Sequence, residues 1–436
     1  MTFAFVDGAW EPGLMARRCA HDLDLPLSHW VVKVAEKTAE ARRQPKGNSL
    51  ALEQLVEQLL RNATDQGDAR EAIPWLHGRD GPNVWPGPPA PPERLSMARG
   101  PWPVRPLENA AELAEALNLD PASLSWFADT RSLERTARDE NLRHYDYHWL
   151  AKRSGGRRLI EAPKQNLKEM QRWVLRKILD HIPPHDAAHG FRHGRNIQSY
   201  AAPHTGREWV LRMDLSHFFC SVPVARVRAV FEAAGYPNAV TRLLVGLCTN
   251  ATPPHVLTDA DGDVELVGRL RGPHLPQGAP TSPTLANLAA FGLDTRLQAL
   301  ASRFDARYNR YADDLAFSGE SMSHDELDRM VALVRGIVNE QGLRVREDKT
   351  SVRRKHQRQV LTGMVVNKHL NLHRRDLDRL RAEVYEAATK GPAVANRRSH
   401  PQYRAHLEGK IGFVQATNPS QARRLWVTFD RIHWDT

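Results

Sequence analysis

The chain has 436 residues, 41% of them hydrophobic, which is enough for two or three domains with proper cores. It contains no apolar run near the ~18 residues that would suggest a membrane span, and Met1 to Trp10 lacks the basic start and apolar centre of a signal peptide. Cys19, Cys220 and Cys248 are scattered and match no metal spacing, so a cytoplasmic protein with reduced thiols is expected. Net charge is +10, but Arg344–Thr436 alone carries 20 Lys plus Arg against 9 Asp plus Glu. The rest of the chain is therefore nearly neutral, which is the charge layout of a protein that grips a polyphosphate at one end.

Residues 1–81 read as a helical N-terminal extension. Its clearest helix runs Ser49-Leu50-Ala51-Leu52-Glu53-Gln54-Leu55-Val56-Glu57-Gln58-Leu59-Leu60, with apolar residues at helical spacing after a capping Ser. Residues 82–106 hold nine prolines and read as an extended linker, with Trp85 and Trp102 as candidate anchors. Helical patterning resumes over Leu107–Leu119 and Leu124–Arg138. Lys152-Arg153-Ser154-Gly155-Gly156-Arg157-Arg158-Leu159-Ile160-Glu161-Ala162-Pro163-Lys164 then reads as two strands around a Gly-Gly turn, laden with cations suited to a triphosphate.

Asn166–His181 has the pattern of an amphipathic helix. His181, His185, His189 and His193 recur every four residues, but Pro183-Pro184 and Gly190 break the helix that a zinc face would need. Asp259-Ala260-Asp261-Gly262-Asp263 resembles a calcium loop, yet Val264 and Leu270 occupy its required Gly and Glu positions. A polar turn between strands is the better reading.

Chemistry concentrates in two acidic segments. Tyr308-Asn309-Arg310-Tyr311-Ala312-Asp313-Asp314-Leu315-Ala316-Phe317 reads as two short strands with Ala312-Asp313-Asp314 at the hairpin tip. Adjacent carboxylates at such a tip repel each other, and a divalent cation supplies a reason to place them there. Trp209-Val210-Leu211-Arg212-Met213-Asp214-Leu215-Ser216-His217-Phe218-Phe219 is an apolar strand running into a single Asp. Together they suggest the three-carboxylate arrangement of two-metal nucleotidyl transfer.

In these segments the sequence resembles the reverse transcriptases. Tyr311-Ala312-Asp313-Asp314 matches their catalytic hairpin and Asp214 their first acidic strand. Leu275-Pro276-Gln277-Gly278-Ala279-Pro280-Thr281-Ser282-Pro283, followed by Thr284-Leu285-Ala286-Asn287-Leu288, supplies a third match in the family's order, so the likeness spans roughly residues 107–370. Within the family the chain is most similar to bacterial retron-type enzymes. Tyr200-Ala201-Ala202-Pro203-His204 stands where they carry Asn-Ala-x-x-His, with Tyr200 replacing the Asn, and Leu361-Thr362-Gly363 stands for Val-Thr-Gly.

The resemblance implies an α+β right-hand polymerase: fingers and palm over 107–368, the palm with an antiparallel sheet, and a basic helical thumb over 369–436. It implies catalysis by Asp214, Asp313, Asp314 and Lys349, with two Mg²⁺ (Mn²⁺ as substitute) held by the three aspartates and the Leu215 carbonyl. Lys349 would either neutralise triphosphate charge or protonate pyrophosphate. Nucleotide contacts fall to Arg157 first, then Arg158 and Lys152, and to Gln277 and Gly278. Phe219 would exclude the 2′-hydroxyl and so select deoxynucleotides. His204, Leu361, Thr362, Gly363, Arg374, Arg375, Arg397 and Arg398 are the primer and template candidates.

The activity implied is RNA-directed DNA synthesis on a cognate structured noncoding RNA. The product would be multicopy DNA, branched from and linked to that RNA, in anti-phage defence with an effector protein. The rival readings are another bacterial reverse transcriptase, such as a group II intron enzyme, RNA-templated RNA synthesis, and an RNA-binding module without catalysis.

Overall fold

The computed structural model describes Glu36 and residues 94–137, 139–152 and 155–434. Apart from Glu36, the extension, with the helix expected at 49–60, lies outside the described residues, as do Trp85 and the first half of the linker. The chain divides into two units, Met1–Pro91 and Pro92–Thr436, and the second carries all that follows. It is a mixed α+β fold, an antiparallel sheet flanked by helices.

The basic hairpin forms as expected, from strands β1 (Tyr145–Ala151) and β2 (Arg157–Pro163) in antiparallel register. Gly155 and Gly156 both take positive φ (87° and 73°) in the turn. Helix α1 (Gln165–Lys177) follows, burying Leu167, Met170 and Val174 on one face.

The central sheet has the order β4-β5-β3-β6 and is antiparallel throughout: β3 is Trp209–Asp214, β4 Arg307–Tyr311, β5 Asp314–Gly319 and β6 Ser351–Arg354. Strand β3 sits between β5 and β6, and its Trp209, Val210, Leu211 and Met213 are buried, so it reads as a nearly continuous apolar run. Helices α2 (Val224–Ala233), α3 (Asn238–Cys248), α5 (Ser282–Ala289), α6 (Phe291–Arg303) and α7 (His324–Glu340) supply most of the core that packs on this sheet, while α4 (Val264–Arg271) packs under the basic hairpin. Ser323 and Glu326 close a capping box at the start of α7.

One ion pair sits wholly inside this layer. Arg310 on β4 and Asp294 on α6 both have no solvent exposure, and they pair in a two-pronged fork: Nε to Oδ1 at 2.8 Å and Nη2 to Oδ2 at 2.6 Å. The remaining nitrogen, Nη1, donates to Asn287 Oδ1 and to the carbonyl of Ala312 in the hairpin turn. Tyr308 OH donates to the same Asp294. Residues 187–190 run parallel to β4 along its outer edge, with Arg310 N donating to Ala187 O and His189 N to Arg310 O.

Beyond β6, three two-residue strands, β7 (Val360–Leu361), β8 (Met364–Val365) and β9 (Asn371–Leu372), form a small sheet. Helices α8 (Arg374–Lys390), α9 (Tyr403–Gln415) and α10 (Pro419–Phe429) then pack around their own core of Leu377, Val384, Leu407, Ile411, Leu425 and Phe429. Among the described residues no helix is long and apolar enough to cross a membrane.

Two expectations need correcting here. Residues 94–106 are not a free spacer: Val104 is buried, Met97 and Trp102 pack on the core, and Ala98 N donates to Gly235 O. Apolar residues between the prolines give this strap a surface to bind. The turn at 259–263 joins helices rather than strands, with Asp263 capping α4 through the Leu266 amide.

The buried pair makes a prediction. Asp294→Ala should cost about 3–5 kcal/mol in urea denaturation, because it strands a guanidinium out of water. The paired change Asp294→Leu with Arg310→Met should recover most of that loss.

Candidate active site

The end of β3 and the β4–β5 turn bring three carboxylates together. Asp214 and Asp314 are direct partners in the antiparallel register, and Asp313 lies in the adjoining two-residue turn. Leu215 N donates to Asp313 O at 2.8 Å, which turns that stretch of backbone toward the hairpin. Lys349 Nζ lies 3.1 and 3.0 Å from the two carboxylate oxygens of Asp214, so the structure groups all four residues assigned to catalysis.

A cation that the sequence reading passed over completes the cluster. Arg212 precedes Asp214 by two on β3 and therefore shares its face. It donates to Asp314 Oδ1 through Nε at 2.9 Å and Nη2 at 2.6 Å. A charged residue inside an otherwise apolar strand was the available signal. Asp313 has no ion-pair partner among the described residues. Burial first, then the charges of Asp214 and Asp314, push its carboxyl up to about 6.

Among the described residues, no set of three or more His, Cys, Asp or Glu side chains forms a ready-made metal cage. Lys349 and Arg212 hold two of the three carboxylates in its place. The donor chemistry still suits a hard divalent cation, since Lys349 only partly offsets the burial and repulsion at Asp313 that such an ion would relieve.

The cations of the basic hairpin differ in how they are held. Arg157 is tied down, its guanidinium 5.6 Å over the Trp149 ring and donating to Asp259 O. Lys152 is half-buried, and burial pulls its ammonium pKa down, with the Arg158 and Arg346 charges adding to the effect. Arg346 N donates to Asp214 O, and the Arg346 charge is felt at Lys152, which sets Lys152 on the side of the carboxylates.

Gln277 and Gly278 dock on β2: Glu161 N donates to Gln277 O, and Gly278 takes φ 144°. A Cβ at Gly278 would come within 2.6 Å of the Glu161 carbonyl oxygen, so the close approach that requires glycine is to protein backbone. Beneath it the buried Glu161 side chain accepts from Asn250 and Thr252, both at 2.8 Å, and pairs with His274 Nε2 at 2.7 Å. Burial pushes that carboxyl up, but His274 and these hydrogen bonds together bring it below its usual value. Sequence reading missed this network, since its members are scattered along the chain.

Phe219 is half-buried, 6.0 Å from the Phe191 ring and 5.9 Å from Phe218. His204 must be corrected. It is fully buried, its Nδ1 is bonded to Ser318 Oγ at 2.7 Å, and burial pulls its pKa down to about 3, so it is a neutral core residue out of reach of nucleic acid. Leu361 is likewise a core side chain. Thr362 and Gly363 form the β7–β8 turn, both with positive φ (44° and 84°) as a type I′ turn needs; Gly363 is exposed, while Thr362 is half-buried. His189 accepts from Asn309 Nδ2 and shares a bond with Ser199, and burial pulls its pKa down to about 4. Arg374, Arg375, Arg397 and Arg398 are exposed on the C-terminal helices and their connections, with Arg374 paired to Asp378 and Arg397 to Glu386.

Comparison with known proteins agrees with this geometry. The family described as reverse transcriptase (RNA-dependent DNA polymerase) matches residues 150–366. The retron Mx65 reverse transcriptase of Myxococcus xanthus is 40% identical over 341 residues, 77% of this chain and 74% of that one. The retron Mx162 reverse transcriptase of the same organism is 38% identical over 332 residues, 73% of this chain and 65% of that one. The retron Ec86 reverse transcriptase of Escherichia coli is 29% identical over 269 residues, 62% and 74% respectively.

The raised Asp313 carboxyl has a stability consequence. In the unfolded chain it titrates near 3.8, so ionising it costs the folded protein on the order of 3 kcal/mol at neutral pH. That cost appears as pH rises through 3.8 toward 6 and is absent below. Asp313→Asn should therefore melt above the parent at pH 7.5 in a chelator, and the gap should close by about pH 4.

Proposed function

The chain belongs to the retron-type reverse transcriptases, and from that premise we propose that it copies part of a cognate structured RNA into DNA at the Asp214–Asp313–Asp314 cluster. The observation that carries the reading is the pairing of Asp214 with Asp314 across neighbouring strands, with the unpaired Asp313 between them. In this reading the basic hairpin belongs to the fingers, the four-stranded sheet is the palm, and α8 to α10 are the thumb.

Asp214, Asp313 and the Leu215 carbonyl are the proposed ligands of two Mg²⁺, with Asp314 held alongside by Arg212. Bound there, the ions would activate the attacking 3′-hydroxyl (or initially a 2′-hydroxyl) and offset charge on the α-phosphate and leaving pyrophosphate. Lys349, now on Asp214, is within reach of the same space and would be released toward the triphosphate. Lys152 and Arg158 approach from the fingers side, and Gln277 lies beside the sugar and base. Phe219 walls off the 2′ position. It packs on the edge of the core yet stays partly exposed, which leaves a face for that role.

Exposed Arg374, Arg375, Arg397 and Arg398 suit phosphate contacts to a duplex read by shape. A product branched from and linked to its RNA, and a place in anti-phage defence with an effector protein, follow from the retron resemblance.

Two experiments test this. Asp313→Asn with Asp314→Asn should reduce deoxynucleotide incorporation on an RNA template at least about a thousandfold while RNA still binds. Unchanged incorporation would sink the assignment. Nucleic acid copurifying from cells should be RNA-linked DNA that debranching treatment converts to a linear form, and unbranched complementary DNA would assign the enzyme to another reverse transcriptase type.

A further inference from the structure

Ten non-glycine residues among those described take positive φ. Most are Asn, Asp, Ser or Thr in turns, residue types for which a short polar side chain or a turn position eases the strain. Phe191, at φ 56°, has no such excuse. A bulky residue is held in the left-handed region only when its surroundings over-determine it, and such positions cluster at working sites.

The surroundings are clear. The segment before Phe191 is fastened to β4 by the backbone bonds at Ala187 and His189, and Asn287 Nδ2 donates to Gly190 O at 2.8 Å. Gly190 passes flush against the Asp-Asp turn: a Cβ there would come within 2.6 Å of Ala312 N. The chain then swings through the left-handed residue, and this places the Phe191 ring 6.0 Å from Phe219 and 6.4 Å from Tyr311. Despite both contacts Phe191 remains 51% exposed. An apolar ring that is half in solvent, on a strained backbone and against Tyr311 of the acidic hairpin, contributes little to a core.

Phe219 needs a second support. Its short helix, Phe218–Ser221, gives it Phe218 on one side, itself buried over Arg310. Among the described residues the one other aromatic ring against it is Phe191, which limits its rotation about χ1 from that side. A wall that rejects one hydroxyl works only if it cannot move aside by the radius of an oxygen atom.

We infer that Phe191 is a specificity-determining residue, a brace that fixes the Phe219 ring against the sugar of the incoming nucleotide. The inference rests on the reading of Phe219 as the wall that excludes a 2′-hydroxyl.

The test measures kcat/KM for dATP and for ATP with the full chain on an RNA template annealed to a DNA primer. Phe191→Ala should lower the dATP-over-ATP preference about tenfold, mainly by raising ATP use, and Phe191→Leu should keep most of the preference. Phe191→Gly should lose preference as Ala does, yet melt no lower than Phe191→Ala, because glycine relieves the left-handed strain. An intact preference in Phe191→Ala, with Phe219→Ala having lost it, overturns the brace and leaves the wall standing. An intact preference in both variants overturns the wall itself. A raised KM for template–primer with unaltered sugar preference assigns Phe191 to the primer and also overturns the inference.

Discussion

The hairpin that carries the acidic pair depends on the buried Arg310–Asp294 pair beneath it. A two-residue turn needs a left-handed residue, and Ala312 fills that position at φ 56° without the freedom of glycine. Arg310 Nη1 holds the Ala312 carbonyl, and its other donors are consumed by Asp294 and Asn287. Asn287 in turn fixes Gly190 against the turn. One guanidinium thus joins β4, two helices and the edge segment, and the position of Asp313 follows from all four. With all three of its nitrogens hydrogen-bonded, such a charge can stay dry.

Above that scaffold the electrostatics are deliberately unfinished. Arg212 satisfies Asp314 and Lys349 satisfies Asp214, while Asp313 is left to repel both. A fold selected only for stability would not leave a buried carboxyl in this state, and function is the usual reason that local consistency fails. Backbone strain follows the same map. Phe191, His217 and Ala312, at φ 56°, 48° and 56°, all lie next to the cluster.

How much of this was legible depended on whether a feature was local in sequence. The Gly-Gly turn, the acidic hairpin and the apolar β3 strand are each encoded within a dozen residues, and each formed where it was read. Arg310, Arg212 and Glu161 escaped because pattern reading treats a charge within a strand as facing water. Their burial is decided by partners 16, 102 and 113 positions away. His204 failed for the same reason, since nothing nearby in sequence announces that Ser318 will enclose it. At 94–106 the anchor read at Trp102 does pack on the core, whereas the burial of Val104 and the packing of Met97 were hidden by the prolines around them. Arg157 and Arg158 are neighbours, and only the pleat determines that one meets Trp149 while the other turns away.

The C-terminal charge needs the same distinction between a count and a placement. Many cations there are paired on the surface, as Arg374 is with Asp378, Arg404 with Glu408 and Lys410 with Glu383. Pairs of this kind are worth only about 0.2–1 kcal/mol each, so a phosphate can displace the carboxylate at small cost. Their effect on the free protein is to hold long side chains extended over the helix surface, which reduces the entropy lost when a backbone phosphate arrives. Arg375 and Arg398, with no such partner among the described residues, are then the less restrained of the four arginines proposed for nucleic acid. A helical region built this way should grip through many exchangeable contacts rather than a few fixed ones, and its affinity should fall steeply with salt. In the proposed reading, discrimination among nucleotides falls instead to Phe219 and the strained Phe191, whose positions are set by packing rather than by exchangeable ion pairs.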